Sequence, residues 1–179
     1  LEIEDGVIRS INSGTTPEYD HRYEGILIPG FVDIHCHGGG GKYFASLTDS
    51  EIAQVIATHR AGGTVAGLAS LVTEPIPNLI SQIKRLVPFA QRGEIAGIHL
   101  EGPYLSHARC GAHDPNLLRT PTLAEVQTLL DAGQGFIKMI TIAPELDGAL
   151  EVIEYLAKSG VIAAIGHSQS DATTAQAAI

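Results

Sequence analysis

Apolar runs of strand length recur along most of the chain and alternate with stretches of helical periodicity. The strand-like runs cover 31–34, 64–72, 95–100, 136–142 and 161–165. Strands that alternate with helices predict βαβ units and a parallel sheet. Five such units favour either an open doubly wound sheet or a (β/α)8 barrel. The first strand is not followed by a GxGxxG turn, which weakens the dinucleotide-binding version of the open sheet.

Helix starts are marked by local signals between these strands. The segments 48–51 and 122–125 each have the Thr-x-x-Glu pattern of a capping box. Further helices are expected to begin near Pro75, to cover Leu150 to Leu156, and to begin near Asp171. In each case apolar residues recur three or four positions apart, as on a helix that packs one face against a sheet.

The first 25 residues differ from the rest of the chain. They alternate apolar and polar positions and are broken by the turn signal Asn12-Ser13-Gly14. The pattern predicts part of a small β-subdomain over residues 1–25. Residues 26–179 are predicted to form the second region, with the alternating strands and helices.

Composition and charge exclude several classes of function. The 179 residues are 44% hydrophobic and 17% charged, as in a globular protein, and the net charge is −9. Such an acidic chain is a poor candidate for binding nucleic acid. No apolar run reaches the length of a membrane span. The two cysteines, Cys36 and Cys110, do not form a disulfide framework, so a reducing, cytoplasmic location is the simpler expectation.

Metal-binding residue types follow three of the predicted strands. His35 and His37 are two positions apart, so both side chains leave one face of the strand. Glu101 and His167 stand at the ends of two later strands. The carboxyl ends of parallel strands meet at the usual active-site edge of a barrel. Imidazole and carboxylate ligands suit Zn²⁺ or a similar divalent ion, which activates water for hydrolysis.

Each of these residues also has an ordinary structural explanation when taken alone. A strand histidine is commonly a hydrogen-bonded core residue, and a terminal glutamate commonly caps a helix or pairs with a cation. The shared strand ends favour the metal site, because the ordinary explanations do not predict one common edge.

The neighbouring residues are assigned less direct roles. Asp33 and His99 are two positions before presumed ligands, so we expect them to support those ligands rather than to bind metal. Cys36 should face away from the paired histidines, and His59 should be solvated near a helix end. Cys110 is expected to be a free thiol, with approach to the metal as the alternative.

Several motifs together resemble one enzyme family. PGFVDIHCHG at 29–38 is similar to the first-strand signature of the amidohydrolase superfamily. Four further motifs resemble those of the N-acetylglucosamine-6-phosphate deacetylases: HLEGPY at 99–104, GAH at 111–113, APE at 143–145 and GHS at 166–168. The resemblance covers residues 26 to 167 in the family's order and spacing.

The resemblance implies a fold, an activity and roles for particular residues. It implies part of a TIM-type (β/α)8 barrel, about five of eight units, that hydrolyses the acetamide of N-acetylglucosamine 6-phosphate to glucosamine 6-phosphate and acetate. Glu101 and His167 would bind a divalent metal, with Zn²⁺ as the preferred candidate. His35 and His37 would bind a second ion in enzymes that hold two. Ala112 and His113 would contact the sugar substrate. The full-length enzyme is expected to be a homodimer.

Some parts of the family's active site are missing from the sequence. Another histidine ligand, the catalytic aspartate and the phosphate-binding arginine are expected beyond Ile179, so the chain should be incomplete for catalysis. Lys42 and Arg109 are the loop cations nearest the predicted site, with solvated surface charge as the alternative. Two other interpretations stay open: another amidohydrolase such as a cyclic amidase, and a non-catalytic metal-binding fragment.

Overall fold

A parallel sheet of five strands forms the centre of the fold. The computed structural model describes residues 1–14, 20–46 and 48–179. The sheet strands are β3 (Phe31–Cys36), β6 (Thr64–Val72), β7 (Gly97–Glu101), β8 (Ile137–Ile142) and β9 (Ile162–Ile165). They pair in chain order, and every pairing is parallel. This curled half-barrel confirms the α/β prediction and fits part of a (β/α)8 barrel.

Each sheet strand is followed by a helix. The helices are α1 (Asp49–Ala61), α2 (Ile76–Gln91), α3 (Leu123–Gly133), α4 (Ala149–Lys158) and α5 (Ala172–Ala177). The β7–α3 connection also contains two short 3₁₀ turns, His107–Arg109 and Pro115–Leu117. The expected helix order is therefore confirmed, and the strand-to-helix connections lie together at the carboxyl ends of the strands.

Two small antiparallel hairpins precede the first long helix. Strands β1 (Glu2–Glu4) and β2 (Val7–Ser10) form one, and β4 (Gly38–Gly39) and β5 (Lys42–Tyr43) form the other. The β1–β2 hairpin is largely exposed. It agrees with the strand character expected of residues 1–25, whereas their status as a separate subdomain stays a prediction.

The core lies between the sheet and the helices α1 to α4. Strand β7 is buried along its whole length, which places Glu101 in the interior at the end of a central strand. The helices contribute the apolar positions expected from their periodicity, and the fully buried ones include Ile52, Leu79, Ile83, Val126, Leu129 and Leu156. This packing stabilises the end of β7 from which the candidate site is built.

One of the two predicted capping boxes is wrong. Thr122 accepts a hydrogen bond from the backbone N–H of Glu125, as expected. Thr48 makes no such cap, and its hydroxyl donates instead to the Glu51 carboxylate. Glu51 is in turn held by Lys42, whose Nζ lies 2.7 Å from Oε1. The ion pair therefore competes with the capping geometry that the sequence pattern predicts.

The two outer strands of the sheet carry exposed apolar side chains. Among the described residues these include Phe31, Val32 and Ile34 on β3, and Ile162 and Ile165 on β9. Clusters of exposed apolar side chains on the outer strands of a sheet are uncommon in globular proteins. None of the described helices is long and apolar enough to cross a membrane.

Candidate metal centre

The carboxylate of Glu101 lies at the centre of four histidines. Glu101 is only 7% exposed. Its Oε1 is 3.3 Å from Nε2 of His35 and 3.1 Å from Nε2 of His167. Its Oε2 is 2.9 Å from Nε2 of His37 and 3.6 Å from Nε2 of His113. The structure thus brings together all four predicted metal ligands, and it adds His113 to them.

The two histidines of strand β3 reach the same point, as their spacing predicts. The Nε2 atoms of His35 and His37 are 3.0 Å apart. Cys36, between them, points to the other side, where its sulfur contacts His59 of helix α1. The alternation of side chains along a strand explains both observations.

Backbone carbonyls orient two of the histidines. The Nδ1 atom of His37 lies 3.2 Å from the Ser70 carbonyl oxygen, and that of His167 lies 2.8 Å from the Arg109 carbonyl oxygen. A carbonyl only accepts, so each Nδ1 is the protonated, donating nitrogen. The Nε2 atoms of His37 and His167 therefore face the cluster, where they contact the Glu101 carboxylate, and they are the nitrogens that a metal ion would take from it.

His113 has the opposite arrangement. The backbone N–H of Thr73 donates to its Nδ1 over 3.3 Å, and the Thr73 hydroxyl lies 2.8 Å from the same nitrogen. Because a backbone N–H only donates, this bond makes Nδ1 the acceptor and leaves the proton on Nε2. The Nε2–H group of His113 is then a donor that points into the site, and its Nδ1 is not held by a backbone carbonyl as in His37 and His167.

His167 is held in an unusual backbone conformation. Its φ is +51°, in the left-handed region that side chains rarely adopt. Its carbonyl oxygen accepts a hydrogen bond of 2.9 Å from Ser106 N–H. The next residues are fixed by Glu145, which accepts bonds from the Ser168 hydroxyl (2.6 Å) and the Gln169 N–H (2.8 Å). These contacts offset the backbone cost of turning His167 toward Glu101.

The charges of the cluster are mutually dependent. The hydrogen bond from His37 holds the pKa of Glu101 well below its usual range, against the effect of burial. The same bond raises the pKa of His37. Burial lowers the pKa of His113. The carboxylate is therefore ionised, as a metal ligand must be.

His99 supports the cluster from behind. It is completely buried, with Nδ1 2.9 Å from the Ser70 hydroxyl and Nε2 2.8 Å from the Thr141 hydroxyl. Its ring meets the His35 ring edge to face, with centroids 4.8 Å apart. Burial lowers the pKa of His99 to about 4, so it is neutral. Both nitrogens are already bonded, which agrees with the supporting role expected for it.

The donor set fits a divalent metal ion. Two groups of three potential ligands share Glu101: one with His35 and His37, the other with His113 and His167. Imidazole nitrogens and a carboxylate oxygen are the ligands of catalytic zinc sites. In a metal-free protein, four imidazoles packed on one carboxylate would be crowded without an evident structural purpose.

The remaining predicted residues lie around this centre. Ala112 is exposed beside His113. The Lys42 ammonium is occupied by Glu51, and Arg109 is exposed, with its backbone carbonyl rather than its guanidinium in contact with the cluster. The expectation that His59 is solvated is wrong, since its Nε2 contacts the Gly38 carbonyl and the Cys36 sulfur.

Asp33 supports His35 through a hydrogen bond to its backbone and not, as expected, through its ring. The Asp33 carboxylate accepts from the backbone N–H of His35. It also lies near Cys36 and His59, because the pairing of β3 with β6 shifts register between Asp33 and Cys36. Sequence spacing gave no signal for this third group, since Cys36 and His59 are on different elements.

The chain is similar in sequence and in fold to sugar-phosphate deacetylases. No protein-family model matches the chain. It is 33% identical over 175 residues to the N-acetylgalactosamine-6-phosphate deacetylase of Escherichia coli O157:H7. It is 30% identical over 155 residues to the N-acetylglucosamine-6-phosphate deacetylase of Bacillus subtilis (strain 168). These alignments cover 94% and 83% of the chain, but only 45% and 39% of the relatives.

Solved structures agree with the sequence relatives. The crystal structure of N-acetyl-D-glucosamine-6-phosphate deacetylase from Mycobacterium smegmatis matches with a TM-score of 0.89 and 47% identity, over 93% of this chain and 45% of that one. An aspartate-to-alanine variant of that enzyme, in complex with N-acetyl-D-glucosamine-6-phosphate, matches with a TM-score of 0.82 and 50% identity, over 84% of this chain and 40% of that one. The chain therefore spans less than half the length of the relatives it matches.

Proposed function

Because this chain is homologous to part of the N-acetylglucosamine-6-phosphate deacetylases, we propose that it supplies the metal-binding half of an enzyme that deacetylates N-acetylglucosamine 6-phosphate. In this reaction water adds to the acetyl carbon, the C–N bond breaks, and the products are acetate and glucosamine 6-phosphate. The observation that carries the proposal is the convergence of four imidazoles on Glu101 at the carboxyl ends of the strands.

Glu101 and His167 would hold one divalent ion, and His35 and His37 would hold a second one with Glu101 between them. Zn²⁺ is the proposed ion, because the donors are imidazole and carboxylate. A bound ion of this kind makes water a stronger nucleophile at neutral pH and polarises the amide carbonyl. The residues of this chain contribute by orientation: the carbonyls of Ser70 and Arg109 keep the Nε2 atoms of His37 and His167 directed at Glu101.

His113 is proposed to contact the substrate rather than the metal. Its Nε2–H donor faces the cluster, because the Thr73 N–H occupies Nδ1. A donor at this position suits a carbonyl or hydroxyl oxygen of the sugar. Ala112, which is exposed beside it, is proposed to contact the sugar as well. The proton-transferring aspartate is expected beyond Ile179 and stays a prediction.

The identity of the sugar requires its own test, because one of the relatives acts on the galactosamine isomer. The two substrates differ only in the configuration of one ring hydroxyl. Acetate release should be measured from both N-acetylhexosamine 6-phosphates with added Zn²⁺ and the protein extended beyond Ile179, because the chain alone is expected to be incomplete for catalysis. We expect the glucosamine isomer to have the larger kcat/KM. A preference for the galactosamine isomer would overturn the assignment of the sugar but leave the chemistry.

A cyclic amidase is the alternative within the same superfamily. Such enzymes commonly use a carboxylated lysine between two metals, and here Glu101 occupies the central position. Lys138, on strand β8, is exposed, and its Nζ donates to the Gly135 carbonyl away from the cluster. Hydrolysis of a cyclic amide with no acetate release from either sugar phosphate would favour this alternative. Metal binding without any hydrolysis by the protein extended beyond Ile179 would favour a non-catalytic role.

The compartment and the assembly complete the proposal. We infer a cytoplasmic protein, since both cysteines are free thiols and a phosphorylated sugar is a metabolite of the cell interior. We also infer a homodimer for the complete enzyme. Light scattering on the protein extended beyond Ile179 tests the second inference, and a monomer at micromolar concentration would contradict it.

A further inference from the structure

We propose that Asp33, Cys36 and His59 form a separate zinc site on the side of strand β3 that faces helix α1. The three residues offer a carboxylate, a thiolate and an imidazole, and their ligand atoms all lie within 4.8 Å of one another. None of the three reaches Glu101, so this group is distinct from the candidate catalytic cluster.

The donor atoms are close enough to share one ion. The Cys36 sulfur is 3.0 Å from Nε2 of His59. The Gly38 carbonyl oxygen lies 3.0 Å from the same nitrogen and 3.4 Å from the sulfur. Zinc–sulfur and zinc–nitrogen bonds of about 2.3 and 2.0 Å place neighbouring ligands of a tetrahedral ion at slightly larger separations. Small shifts of the side chains would therefore admit an ion between them, with the Gly38 carbonyl beside the fourth position.

The chemistry of the donors favours zinc over a harder cation. A thiolate and an imidazole select zinc and other transition metals, whereas Mg²⁺ and Ca²⁺ prefer oxygen ligands alone. The Asp33 carboxylate adds a second negative charge to the site. Binding would release the thiol proton of Cys36 to solvent, and the ring proton of His59 would move from Nε2, where the Gly38 carbonyl now accepts it, to Nδ1, so that the ion meets two anionic ligands and one neutral imidazole.

The surroundings are compatible with a partly buried ion. Asp33, Cys36 and His59 line a cleft between strands β3 and β6 and helix α1, which Phe44 and Ile56 close from the apolar side. Arg60 lines the same cleft, but its guanidinium donates to the Glu94 carbonyl. Arg60 therefore has its own partner in the cleft.

Such a site would tie helix α1 to the glycine-rich hairpin that follows His37. At present the contacts of Gln54, Thr58 and His59 with Gly38 to Gly40 make this connection, and two of these glycines have no room for a side chain against α1. An ion held by Cys36 and His59 would fix the same junction more rigidly.

Cobalt absorption spectra test the proposal without reference to deacetylase activity. Co²⁺ replaces zinc in such sites, and a cobalt–thiolate bond gives a charge-transfer band in the near ultraviolet. Purified protein is titrated with Co²⁺ beyond the amount that the Glu101 cluster binds. We expect the band in the wild-type protein and in the Cys110→Ser variant. It should be absent from Cys36→Ser, whose bound cobalt should fall by one ion per chain.

A second pair of variants keeps the test valid if Cys36→Ser does not fold. His59→Gln should weaken the cobalt binding that produces the band by more than about tenfold. A tenfold loss of affinity is the lower end of the effect of removing a residue that only orients a metal ligand. His21→Gln, a change at an exposed histidine, should have no effect. The proposal is overturned if the wild-type protein gives no band, if Cys36→Ser retains it, or if His59→Gln binds cobalt as tightly as the wild type. If the protein extended beyond Ile179 shows the band but no deacetylation, only the proposed function is contradicted.

Discussion

The Nε2 atom of His37 lies 2.9 Å from Oε2 of Glu101, and each group stabilises the charged form of the other. The carboxylate is buried at the end of the central strand β7, whereas the histidine comes from the outer strand β3. The relationship therefore joins two parts of the sheet that strand pairing alone does not connect. It also identifies Glu101 as the residue on which the cluster depends.

Glu101→Gln should remove most of the metal affinity. The amide keeps the size of the side chain but loses the charge and one of the two acceptor oxygens. Four imidazole nitrogens now approach these two oxygens. We expect metal binding to weaken by more than about 100-fold, beyond the range for residues that only orient a ligand. Isothermal titration with Zn²⁺ and elemental analysis measure the effect. Glu151→Gln, at an exposed position of α4, is the matched control. Equal metal content in the two variants would remove Glu101 from the ligand set.

His167→Gln and His113→Gln should have different consequences. The Nδ1 of His167 donates to a carbonyl and that of His113 accepts from an N–H, so of the two rings only that of His167 is oriented to give its Nε2 to a metal ion in place of its contact with Glu101. We expect His167→Gln to lose bound metal. In the protein extended beyond Ile179, His113→Gln should keep its metal and raise KM for the sugar phosphate by about tenfold, the effect of one lost hydrogen bond of about 1.4 kcal/mol. Loss of metal in the His113 variant would instead assign it to the metal.

Gly102→Ala should destabilise the site more than the backbone conformation alone explains. The φ of Gly102 is +89°, and a Cβ there would collide with the Thr73 hydroxyl that lies beside His113. Gly135→Ala is the matched control, since its φ is +82° and no atom lies within 4 Å of the added carbon. We expect the control to lose about 1 kcal/mol of unfolding free energy and Gly102→Ala to lose clearly more. Urea denaturation compares the two, and equal losses would contradict the predicted collision.

The stability of the protein should fall in alkaline solution because of Tyr104. This tyrosine is completely buried, and burial, with the nearby Glu125 carboxylate, raises its pKa far above the ordinary value of 10.0. The unfolded chain releases the phenol proton near that value and the folded chain does not. The stabilising contribution is therefore complete below about pH 10 and is lost as the pH rises further.

The Tyr104→Phe variant isolates this effect. It lacks the titrating group, and it also loses the hydrogen bond of 3.2 Å to Glu125, which should cost about 1 kcal/mol at neutral pH. Its unfolding free energy should then decrease less between about pH 9 and 11 than that of the wild type. Tyr43→Phe, an exposed position, should follow the wild type. Parallel curves for Tyr104→Phe and the wild type would show that the phenol does not control this range.

The sequence predicted the sheet well because its strands are apolar runs separated by amphipathic helices. The five parallel strands, the N-cap of α3 at Thr122 and the shared edge of Glu101, His35, His37 and His167 all follow from local periodicity and strand ends. Thr48 was predicted wrongly, because an ion pair between Lys42 and Glu51 outweighs the local capping signal.

Contacts between distant residues explain what the sequence could not predict. The opposite hydrogen-bonding of His113 and His167 depends on Thr73 and on the Arg109 carbonyl, which no local pattern connects to them. The proximity of His59 to Cys36 depends in the same way on how α1 packs beside β3. Such pairs become visible only when the elements are packed.

The ligands around Glu101 come from the two outer strands of the half-barrel and from its centre. His35 is on β3, His167 follows β9, and Glu101 ends β7. Ions held by Glu101 together with these histidines would act as cross-links between segments that are far apart in the chain, much as a disulfide restricts an unfolded polypeptide. Metal supply would then govern folding as well as catalysis. An ion that binds only the folded chain adds its binding free energy to the free energy of unfolding of the curved sheet.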